Sequence, residues 1–252
     1  METMPANAPT PEGDASWSVR ATAWELLAFS LRYPDAELAE AVASGEWADA
    51  AAEVANVLKG DSPQLGHFAE ASAPCHPERS AAGAEPKGLP RCATPADDRA
   101  PDALLHALRA EATRLFVGAP DAACSPYEGV WRAADDGVQA LLFVNPHSME
   151  VERFMRACGL GRPEGTNEPL DHAATECELL QYLAMLEAGL AEPPEGIEAA
   201  DLPGGSPAAA YAAFLKDHAR AWMPRFAERL AAESREPFYR AAAQLLGAMV
   251  VA

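Results

Sequence analysis

Apolar residues along this chain recur with the spacing of α-helices, and no segment shows a convincing β-strand pattern. Between Ser16 and Leu31, for example, Trp24, Leu27 and Ala28 share one helical face with Leu31. Few segments are rich in Val, Ile or Thr, which favour strands. Much of the hydrophobic content is alanine, the residue with the highest helix propensity. The sequence therefore predicts an all-α fold, a single globular helical bundle domain of about eight or nine helices.

Capping residues and prolines indicate where these helices begin and end. Asp35 is a candidate N-cap, Gly45 a candidate terminator, and Asn145 a second N-cap followed by Pro146 in the first turn. Pro224 interrupts the C-terminal pattern, which gives two helices or one broken helix there. The segment "APDAACSPYEGVWRAADDG" is predicted to be a loop. The predicted helices cover about 16–31, 36–44, 46–58, 101–118, 145–159, 171–189, 208–234 and 237–252.

Two segments differ in composition from the helical part. Residues 1–15 are rich in proline, alanine and glycine and are predicted to be disordered. Residues 60–101 are rich in proline and glycine and are predicted to be a flexible insertion in a domain that spans 16–252. The insertion contains Cys75, His76 and Cys92, but it lacks a closely spaced cysteine pair and a fourth ligand. We therefore predict no metal site.

The charge of the chain limits its partners. The formal net charge is −19, from 38 acidic against 19 basic residues. Generic nucleic-acid binding by a basic surface is excluded, and an anionic membrane would repel the chain. An acidic surface favours a basic partner, such as a peptide that carries Arg or Lys, although it also serves solubility alone.

Cysteine usage and the two ends of the chain predict a cytoplasmic protein. The first residues, "METMPANAPTPEGDASW", lack the basic and apolar regions of a secretory signal. The most apolar run, "AAAQLLGAMVVA", is too short to span a bilayer. The number of cysteines is odd and their spacing is irregular, which predicts reduced thiols rather than a disulfide framework. They are Cys75, Cys92, Cys124, Cys158 and Cys177.

The stretch "NEPLDHAATECELLQYLAMLEAG" places Asp171 and His172 side by side at the start of an apolar helix. Neighbouring residues of a helix point about 100° apart, so the pair is poorly placed for a hydrogen-bonded dyad. Helix capping and the helix dipole explain Asp171 and Pro169, but they leave His172 unexplained. An alternative is a metal- or nucleotide-dependent hydrolase that uses Asp171, His172 and Glu176. No second Glu-x-x-His motif and no phosphate-binding loop accompany the pair, so we predict no catalytic residue and no cofactor.

Large aromatic residues also occur in a segment of turn-forming residues. "SPYEGVW" contains Tyr127 and Trp131, which either fill the core or line a binding groove.

Several motifs, taken in order, resemble the TorD/DmsD family of chaperones for molybdenum-containing reductases. "RLFVG" followed by "SPYEGVW" is similar to the family's first signature, and "NEPLDHAATECELLQYLA" is similar to its second. "FLKDHARAWMPRFAERL" followed by "PFYRAAAQLL" is similar to its C-terminal pattern. Together the motifs cover most of residues 101–246. The chain departs from the family at Gly129, where Ser is frequent, and at Trp131, where Tyr is frequent.

The resemblance implies an all-helical cytoplasmic chaperone without enzymatic activity. It implies binding to the twin-arginine signal peptide and the apo catalytic subunit of a molybdopterin oxidoreductase. The long connections between helices would permit a domain-swapped homodimer as well as a monomer. The residues that the resemblance implicates in binding the signal peptide are Tyr127, Trp131, Asp171 and His172, with Glu176 and Glu178 as matching acids. A twin-arginine leader is basic at one end and apolar in its middle, so an acidic protein with an aromatic-lined groove suits both parts.

Overall fold

Helices make up most of the described chain. The computed structural model describes residues 11–72, 99–118, 121–138, 145–162 and 169–252. Within these ranges no β-strand occurs, and an isolated antiparallel bridge joins Tyr127 and His172. The helices are α1 (Pro11–Leu31), α2 (Ala36–Ser44), α3 (Glu46–Leu58), α4 (Pro63–Ser72), α5 (Pro101–Ala112), α6 (Glu128–Asp135), α7 (Pro146–Ala157), α8 (Ala173–Glu187), α9 (Pro207–Phe214), α10 (Arg220–Glu233) and α11 (Pro237–Met249). The predicted all-α class is confirmed.

The described ranges contain ten continuous helices, more than the eight or nine predicted. A π-helical turn, Leu215–Ala219, joins α9 and α10 into one continuous helix. Pro224 lies inside α10 and does not end it. The neighbouring Trp222, Met223 and Phe226 are all buried, so packing of this segment offsets the lost backbone hydrogen bond.

The two additional helices lie in segments that were predicted to be irregular. Helix α4 falls within the predicted flexible insertion, and it is held by Leu65 and Phe68, which are buried. Ser62 precedes it and accepts a hydrogen bond from the amide of Leu65 at 3.2 Å. Helix α6 falls within the predicted loop after Gly118. The rest of the predicted insertion, residues 73–98, lies outside the described residues.

The N-terminal boundary also differs from the prediction. Helix α1 begins at Pro11, five residues before the predicted start at Ser16. Proline is favoured in the first turn of a helix, where its missing N–H has no intrahelical partner. The earlier residues of the segment predicted to be disordered, 1–10, lie outside the described residues.

Helix α1 forms the centre of the bundle and packs along α8. Its residues Trp24, Leu27 and Ala28 are buried, as the helical spacing predicted. Trp24 Nε1 donates a hydrogen bond of 2.8 Å to the hydroxyl of Tyr211 on α9, which ties the two ends of the chain together. Elsewhere α2 packs on α5, and α10 packs on α11.

None of the helices in the described ranges has both the length and the apolar character needed to cross a membrane.

Candidate functional site

Three of the sequence motifs meet at a group of buried acids, which we call the carboxyl cluster: Glu128, Asp171 and Glu176. Their exposed fractions are 0%, 1% and 0%, respectively. Glu128 opens α6, Asp171 lies two residues before α8, and Glu176 lies in the first turn of α8. Burial of three acids is costly unless each finds hydrogen-bond donors or a proton.

Glu128 is held by two donors from other parts of the motifs. One of its oxygens accepts from Arg132 at 2.9 Å, and the other lies 3.1 Å from His218 Nδ1. The ring of His218 stacks on Phe214, with centroids 4.8 Å apart. The backbone amide of Glu128 donates to the carbonyl of Asp171 at 3.0 Å. Glu128 therefore connects the first motif with the second and the third.

Asp171 organises the start of α6 and the start of α7. Its Oδ2 accepts from the amide of Gly129 at 2.9 Å and from the hydroxyl of Ser148 at 2.5 Å. Burial raises the pKa of Asp171, while these two hydrogen bonds act to lower it. A side chain at Gly129 would place its Cβ 2.5 Å from Ser148 Oγ. Glycine at this position therefore permits the close approach.

Glu176 is fully buried beneath α10. Its Oε2 accepts from the indole Nε1 of Trp222 at 3.1 Å. Burial, followed by the nearby charge of Glu128, raises the pKa of Glu176 well above its usual value. The protonated form is therefore favoured, and a neutral Glu176 relieves repulsion among the three acids.

Burial of Asp171 and Glu176 is inconsistent with direct contact between these carboxyls and a peptide on the surface. Because α8 begins at Ala173, the side chain of Asp171 faces α6 and the side chain of Glu176 faces α10. Both residues instead fix the relative positions of the elements that carry the motifs.

His172 is the N-cap of α8. Its Nδ1 accepts from the amide of Ala174 at 3.1 Å. Burial, and then the charge of Arg32, lower the pKa of His172 to about 4, so the imidazole is neutral near pH 7 and is able to accept. The expectation that Asp171 and Pro169 serve the cap while His172 has no structural purpose is therefore wrong. A protonated histidine would gain nothing at a helix N-terminus, whereas the neutral ring is able to cap it.

Tyr127 and His172 lie together. Their rings meet edge to face with centroids 5.2 Å apart, and their backbones form the isolated bridge. Trp131 lies elsewhere on α6. Its Nε1 donates to the carbonyl of Ser125 at 2.8 Å, and the guanidinium of Arg225 lies 5.8 Å from its ring. Trp131 is half-buried and braces the loop that precedes α6.

Glu178 lies apart from the carboxyl cluster, at a groove of about 360 Å³ that we call the motif groove. The groove is lined mainly by Met155, Leu160, Leu170, Thr175, Leu179 and Tyr182. Glu178 accepts from Arg32 Nε at 2.6 Å, and both residues border the groove. Of the six implicated residues, Glu178 is the one that lines this groove.

Sequence reasoning missed Glu128, Ser148 and His218 as members of the buried network. Glu128 and His218 both occur within the motifs, so the signal was present. Ser148 carries no sequence signal, because its contact with Asp171 depends on the tertiary fold.

The cysteines and the candidate metal ligands form no reactive centre in the described ranges. Cys124, Cys158 and Cys177 are buried free thiols, while Cys75 and Cys92 lie outside the described residues. No group of three or more His, Cys, Asp or Glu side chains in the described part of the chain is arranged to hold a metal ion.

Comparison with known proteins identifies the family. Residues 82–228, more than half of the chain, match the nitrate reductase delta subunit family. No curated protein gives a match to this chain. The matched range contains "SPYEGVW", "NEPLDHAATECELLQYLA" and most of the third motif. The first two supply the carboxyl cluster, and the third supplies His218 and Trp222, which contact it. This chain therefore belongs to the nitrate reductase delta subunit family, a family of molybdoenzyme maturation chaperones, and the predicted TorD/DmsD-type relationship is confirmed.

Proposed function

We propose that this chain is a cytoplasmic chaperone that binds the twin-arginine signal peptide and the apo catalytic subunit of a molybdopterin-dependent reductase. In this role it assists insertion of the cofactor and delays export until the subunit is mature, and it catalyses no reaction. Family membership supports the general role, and the motif groove is the observation that carries the proposal of a peptide site.

The motif groove suits the apolar stretch of a leader. Its lining comes mainly from α7, α8 and the segments beside them, and it includes Leu170, which directly precedes Asp171 of the carboxyl cluster. A volume of about 360 Å³ falls within the usual range of binding pockets. Apolar side chains of a bound peptide would cover Leu160, Leu179 and the ring of Tyr182, and burial of such surface favours binding by roughly 25 cal/mol per Å² before the cost of ordering the peptide.

The implicated residues divide into two groups in this proposal. The leader is proposed to contact Glu178, which borders the motif groove. It is also proposed to contact Trp131 and the adjoining pair of Tyr127 and His172. Asp171 and Glu176 are proposed to act as positioning residues, because they hold α6 and α8 in register from inside the protein.

The alternative, a hydrolase that uses Asp171, His172 and Glu176, has no supporting observation. The Nδ1 of His172 is engaged by the amide of Ala174, and Glu176 is fully buried against Trp222. The three side chains therefore share no solvent-reachable centre.

A calorimetric titration with a synthetic twin-arginine leader tests the proposal. At low salt the chain is expected to bind the leader with a Kd on the order of micromolar, and binding is expected to weaken as salt rises. Thr175→Trp fills the motif groove and is expected to weaken binding by about tenfold or more, a change of about 1.4 kcal/mol.

Thr113→Trp provides the matched control, since it places the same bulk on an exposed position of another helix end. It is expected to leave the affinity unchanged. The absence of binding by the unmodified chain at low salt would contradict the proposed function.

A further inference from the structure

A second groove, of about 440 Å³, lies between α1, α2 and α3, on a surface that none of the motifs reaches. Its floor is apolar and its edge is acidic. Leu26, Phe29, Ala41 and Trp47 form the floor, and Glu25, Glu37, Glu40 and Glu46 form the edge. We call it the glutamate groove.

The floor of the glutamate groove is rigid. Trp47 is 3% exposed, its Nε1 donates to Ser30 at 2.9 Å, and its ring packs edge to face on Phe238. Phe29 and Leu26 are half-buried beside it. A partner side chain in this groove therefore meets a preformed apolar surface, which lowers the cost of binding.

The four glutamates are all exposed, and in the described part of the chain no Lys, Arg or His forms an ion pair with them. The nearby cations have other partners. Arg20 pairs with Asp61 at 2.5 Å, and Arg32 pairs with Glu178. Four like charges around one apolar groove repel each other, and a cationic occupant would relieve that repulsion.

We infer that the glutamate groove receives the arginine pair of the twin-arginine leader, together with an adjoining apolar side chain. This inference rests on the proposed function, and it assigns the basic end of the leader to residues outside the family motifs. The other acids near the motifs are less suitable for the arginines. Asp171 and Glu176 are buried, and Glu178 already holds Arg32.

The spacing along α1 allows one leader to reach both grooves. Glu25 and Phe29 line the glutamate groove, and Arg32 lines the motif groove. These positions are i, i+4 and i+7, which lie on one face of a helix. At 1.5 Å per residue, Glu25 and Arg32 are separated by about 10 Å along the axis. About three residues of extended peptide span that distance, so the apolar stretch of the leader would begin where the motif groove begins.

The test compares two peptides on the full chain. One is a synthetic leader with its Arg-Arg pair and apolar stretch, and the other carries Gln-Gln in place of the arginines. The unmodified chain is expected to bind the Arg-Arg peptide about tenfold or more tightly than the Gln-Gln peptide at low salt. A variant that combines Glu25→Gln, Glu37→Gln, Glu40→Gln and Glu46→Gln is expected to lose this preference while it binds the Gln-Gln peptide as before.

A control variant makes the same change in net charge on other surfaces. It combines Asp102→Asn, Asp121→Asn, Glu195→Gln and Glu228→Gln, which are all exposed positions outside α1, α2 and α3 and outside the lining of the glutamate groove. The control is expected to keep most of the preference for the Arg-Arg peptide. Thermal unfolding followed by circular dichroism checks that both variants remain folded, since Glu37 and Glu46 lie in first helical turns.

Three outcomes would overturn the inference while leader binding itself still stands. They are equal binding of the two peptides by the unmodified chain, a full preference kept by the glutamate variant, and a loss of preference in the control as large as that in the glutamate variant. Failure of the unmodified chain to bind either peptide would instead overturn the proposed function, and this inference with it.

Discussion

Replacement of Glu176 by glutamine is expected to change how the stability of the protein depends on pH. The native pKa of Glu176 is raised well above its usual value of 4.5, first by burial and then by Glu128. Above pH 4.5 the native carboxyl therefore keeps a proton that the unfolded chain has released. The contribution of this group is fully present below pH 4.5 and is lost as the pH rises through the native pKa.

The magnitude follows from proton linkage. While the native state holds one more proton than the unfolded state, the free energy of unfolding falls by about 1.4 kcal/mol per pH unit. Glu176→Gln removes this term and keeps an amide oxygen for the indole of Trp222. The free energy of unfolding of the variant, relative to the original chain, is therefore expected to rise as the pH rises above 4.5, by roughly 1 kcal/mol for each pH unit over which the native carboxyl keeps its proton.

Urea denaturation at pH 5, 6 and 7, followed by tryptophan fluorescence, measures this difference. Glu178→Gln, two residues further along α8 and partly exposed, controls for the loss of one negative charge. A difference for Glu176→Gln that stays constant between pH 5 and pH 7 would refute the reasoning, because it would mean that the buried carboxyl does not retain its proton.

Three further predictions concern groups that are buried in the structure. Burial lowers the pKa of His172 to about 4, so the free energy of unfolding decreases as the pH falls from the usual 6.5 toward 4. NMR titration of His172 should give a midpoint near 4, and His172→Asn should reduce this loss of stability in acid. Tyr211→Phe leaves the buried indole of Trp24 without its acceptor and should cost about 1–3 kcal/mol in urea denaturation, whereas an unchanged midpoint would contradict the hydrogen bond. Burial raises the pKa of Cys124 to about 12 and that of Cys158 to about 11, so at pH 8 iodoacetamide should modify neither thiol until urea is added, as peptide mass mapping would show.

Local sequence patterns predicted much of the fold because helix spacing and caps depend on near neighbours. Asp35 accepts from the amide of Leu38, and Asn145 accepts from the amide of His147, as expected of N-caps. Helix α4 was missed because its stability depends on distant contacts. Ser62, which precedes α4, also donates to the carbonyl of Ala248 near the other end of the chain. No local pattern contains that contact.

The candidate site was predictable as a set of motifs but not as an arrangement. Asp171, Glu176 and Glu178 occur within eight residues, yet the first two are buried and the third is partly exposed. The difference depends on where α8 begins and on which helices cover it, and both are tertiary properties. The motifs define a buried network that shapes the surface, whereas the exposed acids of the glutamate groove carry no motif.

Site-specific photocrosslinking tests the central claim most directly. A benzoylphenylalanine in place of Tyr182, in the motif groove, is to be irradiated in a mixture with the apo catalytic subunit that carries its leader. The proposed function predicts a crosslink that maps to the leader and disappears when the leader is deleted. The same probe in place of Asp102, which is exposed on α5, should give none. A crosslink that is absent from position 182, or that persists without the leader, would contradict the claim that this chaperone holds the leader in the motif groove.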